Sequence, residues 1–280
     1  LDDKRTEVEK EIFKDLSPWE TVQLARHPNR PYTLDYINKW CENFTELHGD
    51  KAYSDDSAVV AGIGIIEGVK LAIIGQQKGR NTKENIQRNF GMMKPEGYRK
   101  ALRVMKLAEK FNLPIVTLID TPGADPGIGA EERGQGYAIA KNLFEMASIE
   151  TQILSVVIGE GASGGALGIG LCDKMIMLEH TWFSVISPEG CASILWKDST
   201  KAPEAADSLK LTPKDLMEHN ICNSIVYEPS GGAHRHFDET ADILKDAILV
   251  EIKSMQESIT KNYLDLRVER YDKLGVFRED

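Results

Sequence analysis

Apolar residues along the chain recur with two different periods, and the switches between them outline the elements. The run Ile153-Leu-Ser-Val-Val-Ile158 is short, apolar and β-branched, the pattern of a buried strand. Similar runs at 58–66 and 69–75, separated by Glu67-Gly68, predict a tight hairpin. Further strands are predicted at 114–120, 174–178, 183–186 and 224–227. Elsewhere apolar positions return every three or four residues. That spacing predicts helices over 33–47, 96–111, 130–147, 188–196, 213–218 and 238–263. Leu34, Ile37, Trp40, Cys41 and Phe44 mark the inner face of the first. Ile139, Leu143 and Met146 mark that of the third. Pro188 and Thr212-Pro213 stand where helices begin.

Residues 1–16 carry only a narrow stripe, Val8, Ile12 and Leu16, among many charges, and predict an N-terminal helical extension. Prolines at 18, 28 and 31 make an extended connector after it. A hairpin followed by alternating helices and strands predicts an α/β domain with helices covering a sheet. Residues 17–280 read as that domain, closed by a long C-terminal helix. No exact repeat, low-complexity tract or linker divides it.

Composition narrows the class. Hydrophobic residues make up 41% and charged residues 28%, which suits a globular chain with a real core. With 34 basic against 44 acidic residues the net charge is −10, which argues against nucleic acid as the main partner. The apolar runs reach strand length only, too short for a membrane span. The start, Leu1-Asp-Asp-Lys-Arg-Thr-Glu, has no signal-peptide core, so a cytoplasmic protein is expected. It has no initiating Met, which leaves room for an upstream segment. Cys41, Cys172, Cys191 and Cys222 are isolated and read as buried thiols in a reducing compartment.

The chemistry centres on the segment after the 153–158 strand: Gly159-Glu-Gly-Ala-Ser-Gly-Gly165, then a small-residue helix from about 166. A strand that turns through glycines into a helix leaves unpaired N–H groups at the positive end of the helix dipole. Glycine lets a ligand approach those amides closely. Gly164 and Gly165 therefore read as an oxyanion hole, and the same residues also read as a tight strand–helix packing turn. A second glycine turn lies at 121–129, again between a strand and a helix.

Other motifs carry less. Gly161-Ala-Ser163-Gly-Gly165 matches the G-x-S-x-G elbow of serine hydrolases, with His234 and His236 downstream. Asp120-Thr-Pro-Gly123 resembles a GTPase element, but no phosphate-binding loop accompanies it. Lys78, Arg80, Lys83 and Arg88 form a basic run that reads either as a phosphate contact or as a solvated or subunit-facing surface. Glu131 and Glu132 suit a helix start. His234 and His236 alone are too few for a metal site. From the residues, a transferase, a serine hydrolase and a non-catalytic scaffold all stay open.

Several long motifs in order then carry a resemblance. They include Arg26-His-Pro-Asn-Arg-Pro31, Gly75-Gln-Gln-Lys-Gly-Arg-Asn-Thr-Lys-Glu-Asn85, Arg88-Asn-Phe-Gly-Met92, Pro95-Glu-Gly-Tyr-Arg-Lys-Ala-Leu-Arg103 and Ile119-Asp-Thr-Pro-Gly-Ala124. Gly159-Glu-Gly-Ala-Ser-Gly-Gly-Ala-Leu167, Val185-Ile-Ser-Pro-Glu-Gly-Cys-Ala192, Ile194-Leu-Trp-Lys197 and Gly231-Gly-Ala-His234 continue the series. From about 17 to 236 the chain resembles the carboxyltransferase α subunits of multisubunit acetyl-CoA carboxylases. The resemblance implies a crotonase-like (ClpP/crotonase) spiral of ββα units with helical N- and C-terminal extensions. It implies transfer of carboxylate from carboxybiotin, held on a biotin carboxyl carrier protein, to acetyl-CoA, giving malonyl-CoA. It implies an α2β2 assembly with a carboxyltransferase β subunit that carries most of the CoA site and the family's zinc, and work alongside a biotin carboxylase. A plastid stroma is the compartment if the source is a photosynthetic eukaryote. Gly164 and Gly165 map onto the paired glycines that hold the ureido oxygen of biotin, with Gly123, Ala124, Gly161 and Ser163 as substrate-binding neighbours. Two positions depart from the family. Ala162 stands where Gly is usual, and Asp125 where an aromatic is usual.

Overall fold

The computed structural model describes residues 4, 8, 11–13, 15–257 and 262–275. Of the expected N-terminal extension, residues 4, 8 and 11–13 are helical, and Val8 and Ile12 are exposed. Its other residues up to 14 lie outside the described set.

Eight strands are present: β1 Asn43–Glu46, β2 Val59–Ile66, β3 Val69–Gln76, β4 Ile115–Thr121, β5 Ile153–Ala162, β6 Lys174–Leu178, β7 Trp182–Ser184 and β8 Ser224–Val226. The sheet runs β1-β2-β3-β4-β5-β6-β8. β1, β2 and β3 are antiparallel, and the rest of the path is parallel. β5 is long because it serves two neighbours. Its first half pairs with β6 and its last residues, Glu160 to Ala162, with β7.

The continuous apolar runs of the sequence resolve into two faces, because both sides of a parallel sheet are covered. On β4 and β5, Ile115, Ile119, Ile153 and Val157 point to one side, packing with Tyr98, Val104 and Met105 of the Pro95–Lys110 helix. Val116, Leu118, Leu154, Val156 and Ile158 point to the other, packing with Tyr36, Ile37 and Trp40, and with Leu244, Ile248 and Ile252 of the Phe237–Glu257 helix.

Five expectations are corrected. The extended connector expected after residue 16 opens with a helix, Pro18–Ala25, because Ser17 caps it through Glu20 and Pro18 stands in its first turn; only 26–32 link it to the next helix. The helix expected at 33–47 ends at Trp40, and 43–46 is strand β1. Phe44 fits helical spacing, but Gly62 and Gly64 leave a bare strip on β2. A Cβ on Gly62 would sit 2.3 Å from the Thr45 carbonyl oxygen, so β1 fills that strip. The helix expected at 130–147 is two, Ile128–Glu132 and Gln135–Ala147, broken at Gly134 where φ is 81°. In the second, Met146 is buried, while Ile139 and Leu143 are half-buried. Residues 159–162, read as turn, are strand. The C-terminal helix expected at 238–263 ends at Glu257, and a further helix, Tyr263–Asp272, follows. The Ala202–Leu209 helix had no expectation, because its apolar positions are nearly all alanine.

The last described helix is anchored by Arg267, which is buried. Its guanidinium reaches both oxygens of Asp173 at 2.8 and 2.9 Å. It also donates to the carbonyls of Met146, Ile149 and Thr151 at 2.7 to 2.9 Å. Arg267→Met leaves a carboxylate and three carbonyls without their donor. A loss of about 3–5 kcal/mol is expected, read as a lower midpoint in urea unfolding.

Candidate active site

Strands β3, β4 and β5 end side by side, and each carries a polar residue at or near its end. A parallel sheet commonly receives ligands at this edge. Gln76 closes β3, Asp120 lies one residue from the end of β4, and Glu160 lies two from the end of β5. The Asp120 carboxylate fits only because Gly159 has no side chain, since a Cβ there would be 2.3 Å from Oδ1. The same Oδ1 accepts from the Glu160 N–H at 3.0 Å.

Lys78, in the basic run, is the centre of this edge. Its Nζ is 2.6 Å from Asp120 Oδ1 and 3.0 Å from Glu160 Oε1. Burial works against its charge, and the two carboxylates outweigh burial and hold its pKa above the ordinary lysine value. Burial raises the Asp120 carboxyl. Burial alone would raise Glu160 too, but Lys78 and Arg26 together hold it below its ordinary value. Arg26 Nε donates to Glu160 at 2.6 Å, and its two other nitrogens reach Glu189 at 2.5 and 3.2 Å. Arg30 donates to the Ile158 carbonyl at 2.7 Å and pairs with buried Glu228. The proline-flanked connector is thus pinned over the end of β5 by two arginines. Of the other basic residues, Arg80 donates to the Pro28 and Arg30 carbonyls and pairs with Asp35, Arg88 donates to the Ser57 carbonyl, and Lys83 is exposed. These contacts engage Lys78, Arg80 and Arg88 within the chain, which fits neither a phosphate site nor a purely solvated run.

The glycine turn lies next to this cluster. β5 passes directly into the helix Ser163–Gly170 through Ala162, which is buried and provides no side-chain cap. The first-turn N–H groups of Ser163, Gly164 and Gly165 therefore have neither an intrahelical partner nor a cap. Ser163 is exposed and has φ 55°. Gly164 is half-buried, and a Cβ there would meet only Ile139 Cδ1, at 3.6 Å. Gly165 is different. A Cβ on it would lie 2.3 Å from the Gly123 carbonyl carbon and 2.6 Å from Ala124 N. The two glycine loops pack backbone on backbone at this point.

Gly123 has φ 153°, which a side chain resists, and its N–H donates to Thr121 Oγ1 at 3.1 Å. Gly161 is buried within the sheet, opposite Thr121 and against Phe183. The structure therefore gathers Gly123, Ala124, Ser163, Gly164 and Gly165 and leaves Gly161 inside the strand. Asp125 turns onto its own loop, its Oδ1 accepting from Gly127 N at 2.8 Å. Sequence reasoning passed over Gln76 and Glu160 and met Asp120 only as part of a GTPase-like element. The available signal was a polar residue at the end of each of three apolar runs.

Ser163 stands at a strand-to-helix elbow with φ 55°, and no hydrogen bond joins it to a histidine among the described residues. His234 stacks on His27, with ring centroids 4.1 Å apart. Burial, with His27 and nearby arginines, lowers its pKa to about 4. Among the described residues no group of three or more His, Cys, Asp or Glu is placed to hold a metal, and no helix is long and apolar enough to cross a membrane.

A family model described as acetyl co-enzyme A carboxylase carboxyltransferase-like matches residues 1–275. The acetyl-coenzyme A carboxylase carboxyl transferase subunit alpha of Xanthomonas campestris pv. campestris is 55% identical over 267 residues, 95% of this chain and 84% of that protein. The protein of the same name from Alkaliphilus oremlandii is 52% identical over 278 residues, 99% of this chain and 88% of that protein. Among solved structures, the transcarboxylase 12S core with methylmalonyl-coenzyme A and methylmalonic acid bound superposes with TM-score 0.61 at 18% identity, over 78% of this chain and 44% of that chain. The beta subunit of Pseudomonas aeruginosa geranyl-CoA carboxylase gives TM-score 0.60 at 17% identity, over 87% and 46%. This chain spans under half the length of those two, and they establish the fold alone, the crotonase-like fold of carboxyltransferases.

The two turn glycines differ in what surrounds them, so they are expected to differ in tolerance. Gly165→Ala forces its Cβ against the Gly123–Ala124 backbone and should cost about 1–3 kcal/mol. Gly164→Ala should stay within about 0.5 kcal/mol of wild type. Thermal unfolding of the two variants side by side checks this. Equal melting temperatures would contradict the packing described.

Proposed function

The chain belongs to the acetyl-CoA carboxylase carboxyltransferase family as an α subunit of a biotin-dependent enzyme, and we propose that it forms the biotin-side half of a site that moves carboxylate to acetyl-CoA. The product is malonyl-CoA, and its formation is the first committed step of fatty acid synthesis. One observation carries the reading: an uncapped helix start at the end of β5, half-buried at Gly164 with room there for a ligand atom. Carboxybiotin, delivered by a carrier protein, would supply an activated carboxylate, and its ureido oxygen would be held at the Gly164 and Gly165 amides.

What remains for this chain is electrostatics and position. The amides of Gly164 and Gly165 donate to the oxygen, with the helix dipole behind them. Contact between Gly165 and the Gly123–Ala124 peptide keeps the second loop at a constant distance. Lys78 with Asp120 and Glu160 keeps the strand ends from spreading. Ile128, Tyr137 and Phe144 are 75%, 72% and 78% exposed on the helices after β4, and Leu167 is exposed on the glycine-turn helix. Large apolar side chains left in water near a site suit a partner surface. That supports a β subunit that completes the site and carries the acyl-CoA.

The reading is tested by purifying the chain with and without its β subunit and assaying biocytin-dependent decarboxylation of malonyl-CoA. The complex should be active and the isolated chain inactive. Full activity from the isolated chain would overturn the half-site. Gly164→Val puts a branched side chain over the amides at a position with room for it. The complex should keep its melting temperature and lose about 10²–10³-fold in kcat.

Ser163→Ala should retain a substantial part of the activity, because only the backbone of residue 163 is used. A loss of about 10⁴-fold in kcat would instead mark Ser163 as a nucleophile.

A further inference from the structure

The two loops of the site are joined by one side chain that the reaction itself does not call for. Gln76 is 0% exposed, at the end of β3. Its amide nitrogen donates to the Gly165 carbonyl at 2.7 Å, and its amide oxygen accepts from the Asp120 N–H at 3.0 Å. Asp120 leads straight into Thr121-Pro-Gly123-Ala124, and Gly165 is in the first turn of the Ser163–Gly170 helix. One amide thus holds the root of each glycine loop. Its own carbonyl accepts from Thr33 Oγ1 at 2.7 Å, which pins the β3 end in turn.

We propose that Gln76 is a positioning residue that sets the spacing between the Gly164–Gly165 amides and the Gly123–Ala124 loop during carboxyl transfer. The inference rests on the function proposed above. In an α-helix, N–H groups point toward the N-terminus and carbonyls away from it. A donor on the Gly165 carbonyl therefore holds the first turn from behind, on the side opposite the amides that face the substrate. A donor on one atom and an acceptor on the other are both required, and an amide supplies them without charge. The hydroxyl of Tyr98, at 3.4 Å from the same Gly165 oxygen, is a weaker second donor.

Two variants in the α–β complex test this. Gln76→Met keeps the length and removes both hydrogen bonds. Gln76→Glu replaces the amide by a carboxyl, which has both a donor and an acceptor only when protonated. Burial raises the pKa of such a carboxyl, as does the Asp120 carboxylate beyond it, while Lys78, held between Asp120 and Glu160, opposes them; Tyr98 stays neutral. In its protonated form the introduced carboxyl reproduces the bridge; ionised, it turns a lone pair toward the Gly165 carbonyl.

The ratio of variant to wild-type kcat is measured across pH. For Gln76→Glu it should approach unity at acid pH and fall as pH rises through the new pKa, toward the Gln76→Met value of about 10²-fold below wild type. KM for the acyl-CoA should stay near wild type in both, since the CoA is held elsewhere. A merely structural glutamine lowers the melting temperature but leaves kcat of the folded complex unchanged. A Gln76→Glu ratio that does not vary with pH, or a Gln76→Met kcat within about threefold of wild type, overturns the proposal. If Gln76→Met does not fold, the Gln76→Glu ratio decides by itself. A wild-type complex without transferase activity would instead overturn the proposed function.

Discussion

A lysine ammonium held between two carboxylates, almost without water, sets the working edge of this sheet. The side chains of Lys78, Asp120 and Glu160 are 12%, 2% and 6% exposed. Two carboxylates brought together there would repel each other, and one would take up a proton, without the cation between them. Lys78 is beyond the end of β3, Asp120 on β4 and Glu160 on β5, so one ammonium ties three chain segments where the sheet hydrogen bonds stop. Arg26 extends the network to the connector before the first long helix and, through Glu189, to the Pro188–Trp196 helix.

That rigidity matters to the proposed site because its donors are backbone amides. The amides at the start of the Ser163–Gly170 helix have no side chain to reposition them, and their location is whatever the strand ends impose. The charge cluster fixes the ends of β4 and β5, and the contact of Gly165 with the Gly123–Ala124 peptide converts this into a constant gap between loops. Gly159 and Gly165 act here through what they leave out. One makes room for the Asp120 carboxylate, and the other for a peptide unit.

The correspondence between sequence and structure follows the range of the interactions. The hairpin at 59–76 was legible because Glu67-Gly68 is a local turn signal, and both residues take positive φ there. The Pro188–Trp196 helix was legible for the same reason, with Ser187 capping Gly190 and proline in the first turn. The 33–47 segment was misread because the bare glycine strip on β2 that captures Phe44 is distant in sequence. The basic run was misread because charge content does not tell whether Lys78 meets solvent or two buried carboxylates.

By itself the sequence determined which segments are strands and helices where local chemistry decides, and, through its ordered motifs, the family and the presence of glycines at the turn. Those are properties of residues and their near neighbours. Only the tertiary structure decided which glycine does what. Gly164 stands open and Gly165 is pressed against another loop, although they are adjacent and chemically identical. It also decided that Gln76 joins Asp120 to Gly165, residues separated from it by 44 and 89 positions. Hydrogen bonds and close packing act over a few ångströms of space, and no spacing along the chain encodes which distant backbone will arrive there.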